Sequence, residues 1–414
     1  MRYAQSLKRR RPPGAGGPAG PWRIALVANL KDEVDLGADA PPDAGAEFDK
    51  ASTIESLARA LEADGHWVHV CPGDNTLPEI LLSLRPNICF NIAEGMGGDG
   101  REAHVPALCE MLGIPYTASR VVANALSLDK TRTKHIWRDV GLPTAAFQEF
   151  SSSQAPIDPR LSFPLFVKPA REGTGMGVDA AAIVHDEADL RRRVEWITSA
   201  YRQPALVETF LTGREFTVGF IGNPGGASRR RRPWLYDGSG YHVFPVMEID
   251  SNIASTPGIY GHDAKSYDIG VTGAPDYVCP AHIPERLRGR LVDLALRGAE
   301  AIGACDVSRV DLRLGADGRP YLMEINTLPG LNPLISDLCI MAAAEGMVYD
   351  DLITEILYLS AERFGLPFDR LEITEPVEAA HLAEAEPVPV WERRQAAPAR
   401  GGARRRTTGH RRAK

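Results

Sequence analysis

SRVDLRLGADGRPYLMEINTLPG, residues 308–330, is the stretch on which the fold turns. Asp317-Gly318 is a strong two-residue hairpin signal, and the runs on either side alternate apolar and polar residues. If those two residues form the turn, Asp311 lies opposite Glu324 and Arg309 opposite Asn326. Side chains alternate faces along a strand, so these four share one face. Leu312, Leu314, Met323 and Ile325 fall on the other, with Val310 beside them. Two directly opposed carboxylates repel unless positive charge sits between them. Two carboxylates and an amide form an oxygen-donor set of the kind Mg²⁺ takes, with substrate phosphates completing its shell. Taken alone, the residues also fit an ordinary amphipathic hairpin with a solvated polar side, Arg309 pairing with Asp311 or Glu324.

A second stretch bears on that choice. KPAREGTGMGV (168–178) runs off a strand with Glu172, Gly173, Thr174, Gly175 and Gly177 in close succession. Glycines let backbone N–H groups approach and wrap phosphate oxygens. No Gly-Lys-Ser/Thr follows, so this is not a P-loop, nor is it a GxGxxG opening a helix. Lys168 at the strand end and Lys130, at a helix start in LDKTRTK, are candidates to neutralise phosphate charge. Glu208 closes PALVETFL with the right chemistry for a base or ribose contact, and Phe210 and Leu211 follow as cover for a planar ring.

Outward from these motifs the chain reads as a βαβαβ alternation from WRIALVANL (22–30) to NICFNIAEG (87–95), hence a small parallel sheet. ALSLDKTRTKHIWRDVGLP reads as a helix ending at Gly141, and residues 284–303 and 349–363 as further helices. The expected division is 1–21 (disordered, basic), 22–119 (N-terminal α/β), 120–211 (central), 212–370 (C-terminal, carrying the hairpin) and 371–414 (disordered, basic). The overall charge is −7, yet residues 1–11 carry five basic groups and no acid, and residues 393–414 nine and no acid. The region between is therefore strongly acidic, a poor surface for nucleic acid. The run Arg229–Arg232 reads as solvated and flexible. No apolar run reaches membrane-spanning length, and the N-terminus lacks the apolar core of a secretory signal. Six scattered cysteines with no CxxC pair point to free thiols in a reducing, cytoplasmic setting.

Taken in order, NIAEGMGGDGREAHVPALCEMLGIPYTAS, ALSLDKTRTK, FVKPAREGTGMGV, VETFLTGREFTV, SRVDLRL and MEINTLPGLNP resemble the D-alanine–D-alanine ligases of the ATP-grasp superfamily. The resemblance covers about residues 22–365. It implies a mixed α/β (α+β), three-domain ATP-grasp architecture with a parallel N-terminal domain. It implies ATP and two Mg²⁺ ions, with Mn²⁺ as the alternative, and small amino-acid or carboxylate substrates. Lys130 and Lys168 would meet ATP, Glu208 and Leu211 would line the adenine pocket, and Glu215 would bind ribose. Lys265 would reach the γ-phosphate. Asp311, Glu324 and Asn326 would hold the metals, and Arg309 with the Gly330 N–H would form an oxyanion site. The implied reaction is amide formation through an acyl phosphate, with cell-wall precursor synthesis as one destination and a homodimer as the family habit.

The sequence departs from that pattern on the substrate side. Lys31 stands where the family has a glutamate, with Glu33 two residues on as the nearest replacement and Glu47 and Asp49 further along the same loop. Thr174-Gly175 replaces Ser-Ser, and Ser266 replaces a tyrosine. Ser336 is the candidate for the second substrate's carboxylate. These departures leave open a ligase for another acid–amine pair; a catalytically silent nucleotide-binding protein is the reading from another class.

Overall fold

The computed structural model describes residues 21–31, 40, 41, 43–225, 230–250 and 276–369. The sequence expectations for the two basic tails therefore fall outside the described residues, save for Pro21.

Three sheets organise the described residues. The first joins β1 (Arg23–Ala28), β2 (Trp67–Pro72) and β3 (Ile88–Asn91) in parallel, in the order β2-β1-β3. In β1 only Arg23 is exposed, as a central strand covered on both faces requires. Helix α1 (Ala51–Ala63) turns Ile54, Leu57, Ala60 and Leu61 inward. Helices α2 (Leu77–Leu84) and α3 (His104–Leu112) follow.

The single helix expected around Lys130 is two, α4 (Val121–Leu128) and α5 (Lys130–Asp139). Asp129 breaks them at ψ 90°, and its carboxylate accepts the Arg132 N–H at 2.9 Å. That is an N-cap, which leaves Lys130 as the first residue of α5.

The second sheet is antiparallel. It contains β4 (Phe147–Phe150), β5 (Leu165–Pro169), β6 (Ile183–Val184) and β7 (Ala205–Thr209), in the order β4-β7-β5-β6. Helix α6 (Glu187–Ala200) covers it through Leu190, Val194 and Ile197.

The third sheet contains β8 (Glu215–Gly222), β9 (Tyr241–Val243), β10 (Met247–Asp250), β11 (Asp276–Val278), β12 (Asp306–Leu314) and β13 (Pro320–Asn326). Its order is β11-β10-β8-β12-β13, with β9 also on β8. Helix α7 (Glu285–Ile302) packs on it with Leu291, Ala295 and Ile302 against Val310, Leu312 and Leu322. Helices α8 (Asp337–Ala344) and α9 (Tyr349–Phe364) share a core with β1 and α1.

The hairpin β12–β13 pairs Asp311 with Glu324 and Arg309 with Asn326, as the alternation predicts. Its turn differs. Leu314 pairs with Pro320, the Gly315 N–H donates to Arg319 O, and Gly318 sits at φ +69°. The loop is thus three residues, Ala316–Gly318, with glycine in the left-handed position. A bulge between Asp311 and Leu312 absorbs the slip, and Leu312 pairs with Leu322. Leu322 therefore takes the core place expected for Met323. Met323 instead faces the cleft that also holds Glu324.

The arginine run is also corrected. Among its described members, Arg230 is 3% exposed. Arg231 grips Asp64 at 2.6 and 2.8 Å, and Arg232 meets Glu355 at 2.7 Å and also Asp351. The charge run is a clasp from the third sheet onto α1 and α9, because the acids that neutralise it lie far away in sequence. Among the described residues all six cysteines are free. No helix among them is long and apolar enough to cross a membrane.

Candidate active site

Two cavities meet where the three sheets converge. The larger, about 320 Å³, has Lys31, Glu47, Asp49, Glu94 and Glu102 in its walls, together with Arg309, Asn326, Gly330 and Ser336. The smaller, about 50 Å³, is lined by Phe166, Lys168, Met176, Glu215, Asp311 and Met323 among others. Lys130 and Glu324 line both. They mark the boundary, and any group passing between the cavities passes them.

Charges in the small cleft are held by partners. Lys168 Nζ lies 3.1 Å from Glu208 and 3.8 Å from Glu324, and Lys130 Nζ 3.7 Å from Glu324. Lys134, absent from the sequence expectations, lies 2.8 Å from the other oxygen of Glu208. One turn after Lys130 on α5, it is 1% exposed on its side chain. Burial alone would raise the Glu208 carboxyl, but Lys134 and Lys168 outweigh it and hold the pKa at about 2. Burial lowers the Lys134 pKa despite Glu208, whereas Glu208 and Glu324 together overcome burial and raise that of Lys168. Glu215, in the cleft wall, pairs with Arg313 at 3.3 Å. Glu208, behind Lys168, and Leu211 both lie outside the lining; the apolar walls come from Phe166, Met176, Val178 and Met323.

The glycine-rich loop runs between the cavities, Thr174 on the larger and Gly175 on the smaller. Gly177 has no room for a side chain, since a Cβ would sit 2.6 Å from Pro169. Glu172 is held by Arg101 at 3.0 Å and Gln203 at 2.5 Å, while its carbonyl accepts from Lys130 Nζ. Arg101 was missed because it reads as one more polar loop residue.

The floor of the larger cavity is built at the end of the hairpin. Arg309 donates to both oxygens of Asp311, at 3.0 and 2.9 Å, and to Asp337 at 2.8 Å. Asp311 also accepts from the Thr217 hydroxyl at 2.7 Å. Ser336, just before α8, accepts the Asn332 N–H at 2.9 Å. A Cβ on Gly330 would sit 2.8 Å from that hydroxyl and would push it aside. Across the cavity, burial raises Asp49 to about 7. Burial, with the charge of Glu47 added, raises Glu102 to about 7. Glu94 is raised by burial and by its acidic neighbours, and Arg101 only partly opposes this. Neither Asp49 nor Glu94 makes a side-chain hydrogen bond or ion pair among the described residues.

Asp311, Glu324 and Asn326 suit a hard divalent cation. The two carboxylates are cross-strand partners, and Asn326, paired with Arg309, offers an amide oxygen next to them. Among the described residues no three His, Cys, Asp or Glu side chains form a metal cluster. Two carboxylates and an amide fit Mg²⁺ that draws its remaining ligands from phosphates. Lys265, Ser266 and Glu33 lie outside the described residues.

The family model described as D-ala D-ala ligase C-terminus matches residues 136–358. A Sinorhizobium fredii protein, y4sG, described as uncharacterized, is 32% identical over 83% of this chain and 98% of its own length. The D-alanine–D-alanine ligase of Desulforudis audaxviator is 34% identical over 74% of this chain and 92% of its own. The crystal structure of the Bacillus anthracis D-alanine–D-alanine ligase complexed with ATP superposes with a TM-score of 0.61. It is 21% identical, over 83% of this chain and 99% of that one, and shows the same fold.

Proposed function

The chain belongs to the D-alanine–D-alanine ligase family, and from that membership we propose an ATP-dependent ligase that joins a carboxylate to an amine through an acyl phosphate. The observation that carries the reading is the meeting of the two cavities at Lys130 and Glu324. The small cleft takes ATP and the large cavity takes the acid and the amine. The substrates are small and amino-acid-like.

Lys168 and Lys130 exchange part of their pairing with Glu324 for phosphate oxygens. Glu208, pinned by Lys134 and Lys168, presents a carboxylate that stays ionised at neutral pH and accepts hydrogen bonds from the base. Glu215 receives the ribose. Asp311, Glu324 and Asn326 hold Mg²⁺, which when bound withdraws charge from the transferring phosphoryl group. The acid carboxylate attacks the γ-phosphorus, ADP leaves, and an acyl phosphate forms. The amine then attacks the acyl carbon and phosphate departs. Arg309, held between Asp311 and Asp337, and the Gly330 N–H donate to the oxyanion of that step, at roughly 3–4 kcal/mol per well-placed donor.

The acid site uses its own set of groups. Lys31 lines the cavity where the family has a glutamate, and Asp49, Glu94 and Glu102 supply carboxylates instead. This favours an acid substrate that also carries an ammonium group, and D-alanine is one such substrate. The test is a panel of acid–amine pairs, D-alanine with itself included, with ATP and Mg²⁺, reading phosphate release and product mass together. ADP formed only with such a pair, and an amide product of matching mass, is the expected result. No substrate-dependent ADP with any pair contradicts the proposal.

A further inference from the structure

Two carboxylates from the first loop sit on the backbone of the glycine-rich loop. Glu47 Oε1 accepts the Gly173 N–H at 2.5 Å, and Asp43 Oδ2 accepts the Gly177 N–H at 2.7 Å. Both acids come from the segment between β1 and α1, more than a hundred residues away in sequence. Each is braced behind. Arg101 grips the second oxygen of Glu47 at 2.7 Å while holding Glu172 and the Arg171 carbonyl. The Tyr201 hydroxyl donates to Asp43 at 2.8 Å. A Cβ on Gly173 would meet Glu47 Oε1 at 2.5 Å, so a side chain there would displace the glutamate from the loop.

What lies between the two anchors explains their use. The Met176 N–H closes a turn on Gly173 O at 2.9 Å, with Thr174 at φ +49° and Gly175 at φ +71°. Positive φ at both central residues is the type I′ geometry, and a β-branched threonine resists it. The turn needs support from outside, and the two carboxylates flank it. Among the described residues, the Thr174 and Gly175 N–H groups have no hydrogen-bond partner. Thr174 lines the larger cavity and Gly175 the smaller, which puts both beside the place where phosphate oxygens would arrive.

We propose that Glu47 is a positioning residue that holds the glycine-rich loop in its phosphate-binding shape. Because Glu47 also lines the larger cavity, it ties nucleotide affinity to the wall of the acid-substrate site. What the loop binds rests on the ligase reading; that Glu47 holds the loop does not.

The test uses the full chain and the variants Glu47→Gln and Glu47→Ala. Hydrogen exchange of residues 170–178 is read without ligand, and affinity for a non-hydrolysable ATP analogue with Mg²⁺ is read by calorimetry. In the alanine variant, exchange at Gly173–Gly177 should rise. Analogue affinity should fall about tenfold, equivalent to about 1.4 kcal/mol. The glutamine variant keeps an oxygen for the Gly173 N–H but loses its charge toward Arg101, and should fall in between. In turnover the KM for ATP should rise more than kcat falls. Wild-type exchange and affinity in the alanine variant would overturn the proposal. Tighter binding would overturn it too, by making Glu47 a group that blocks phosphate. A wild-type chain that binds no analogue counts against the ligase reading, and the exchange data then still decide the role of Glu47.

Discussion

Arg309 reaches Asp337 across 2.8 Å, from the middle of β12 to the first residue of α8. Its other two nitrogens rest on Asp311. The guanidinium is thus fixed on two sides in the floor of the larger cavity. Asp337→Ala should release one side. Turnover should drop tenfold or more while affinity for the ATP analogue stays within about twofold, as the proposed role of Arg309 at the oxyanion requires. Parallel loss of both, by kinetics and calorimetry, would place Asp337 in nucleotide binding.

Glu324 faces Asp311 across the hairpin and lies between Lys130 and Lys168. Glu324→Gln keeps the shape and removes the charge that both lysines face. Amide formation should fall below detection while the melting temperature changes little, because the side chain borders open cavity space. Full activity in this variant would remove Glu324 from the metal set.

Acid should weaken the clasp between Asp64 and Arg231. Burial raises the Asp64 carboxyl, but hydrogen bonds from His66, Arg231 and Tyr358 outweigh it and hold the group well below the usual carboxylate range. A lowered folded-state pKa gives stability that is present above the unfolded value, near 4. That stability is lost as pH falls below it. Asp64→Asn should therefore cost roughly 1.5–3 kcal/mol at neutral pH. The gap to wild type in thermal or urea melts should close as pH drops from about 5 to 2.

The larger cavity, proposed to take the acid, should titrate near neutrality. Asp49 and Glu102 are both raised to about 7, Asp49 by burial and Glu102 by burial and the neighbouring Glu47. Below that pH they are protonated and attract an ammonium group weakly; above it they are ionised. The KM for an acid substrate bearing an ammonium group should fall as pH rises from about 6 to 8, and Asp49→Asn should flatten the profile. A KM that rises over that range in the wild type would contradict this assignment.

The hairpin and its pairing of Asp311 with Glu324 were legible because Asp-Gly and strict alternation are local signals. The bulge was not, since its cause is a three-residue turn whose length the sequence leaves open. Met323 changed faces for that reason alone. Lys134 reads as a surface lysine on α5 until Glu208 is brought beneath it, and Arg231 as a solvated charge until Asp64 arrives from α1. Asp337 and Arg101 were equally silent, as each gains its role from a partner on a distant element. The cleft beside Lys168 and the glycine-rich loop was thus signalled by local motifs, while the partners of Lys134, Arg101 and Asp337 depend on packing between distant elements.

The central claim is that the acid's own oxygen passes to phosphate. The direct measurement is turnover with a carboxylate-¹⁸O-labelled acid, beginning with D-alanine and extending to the acids of the panel, followed by mass analysis of the phosphate released. An acyl-phosphate ligase delivers one labelled oxygen to phosphate for each amide formed. Amide formation with unlabelled phosphate would contradict the account.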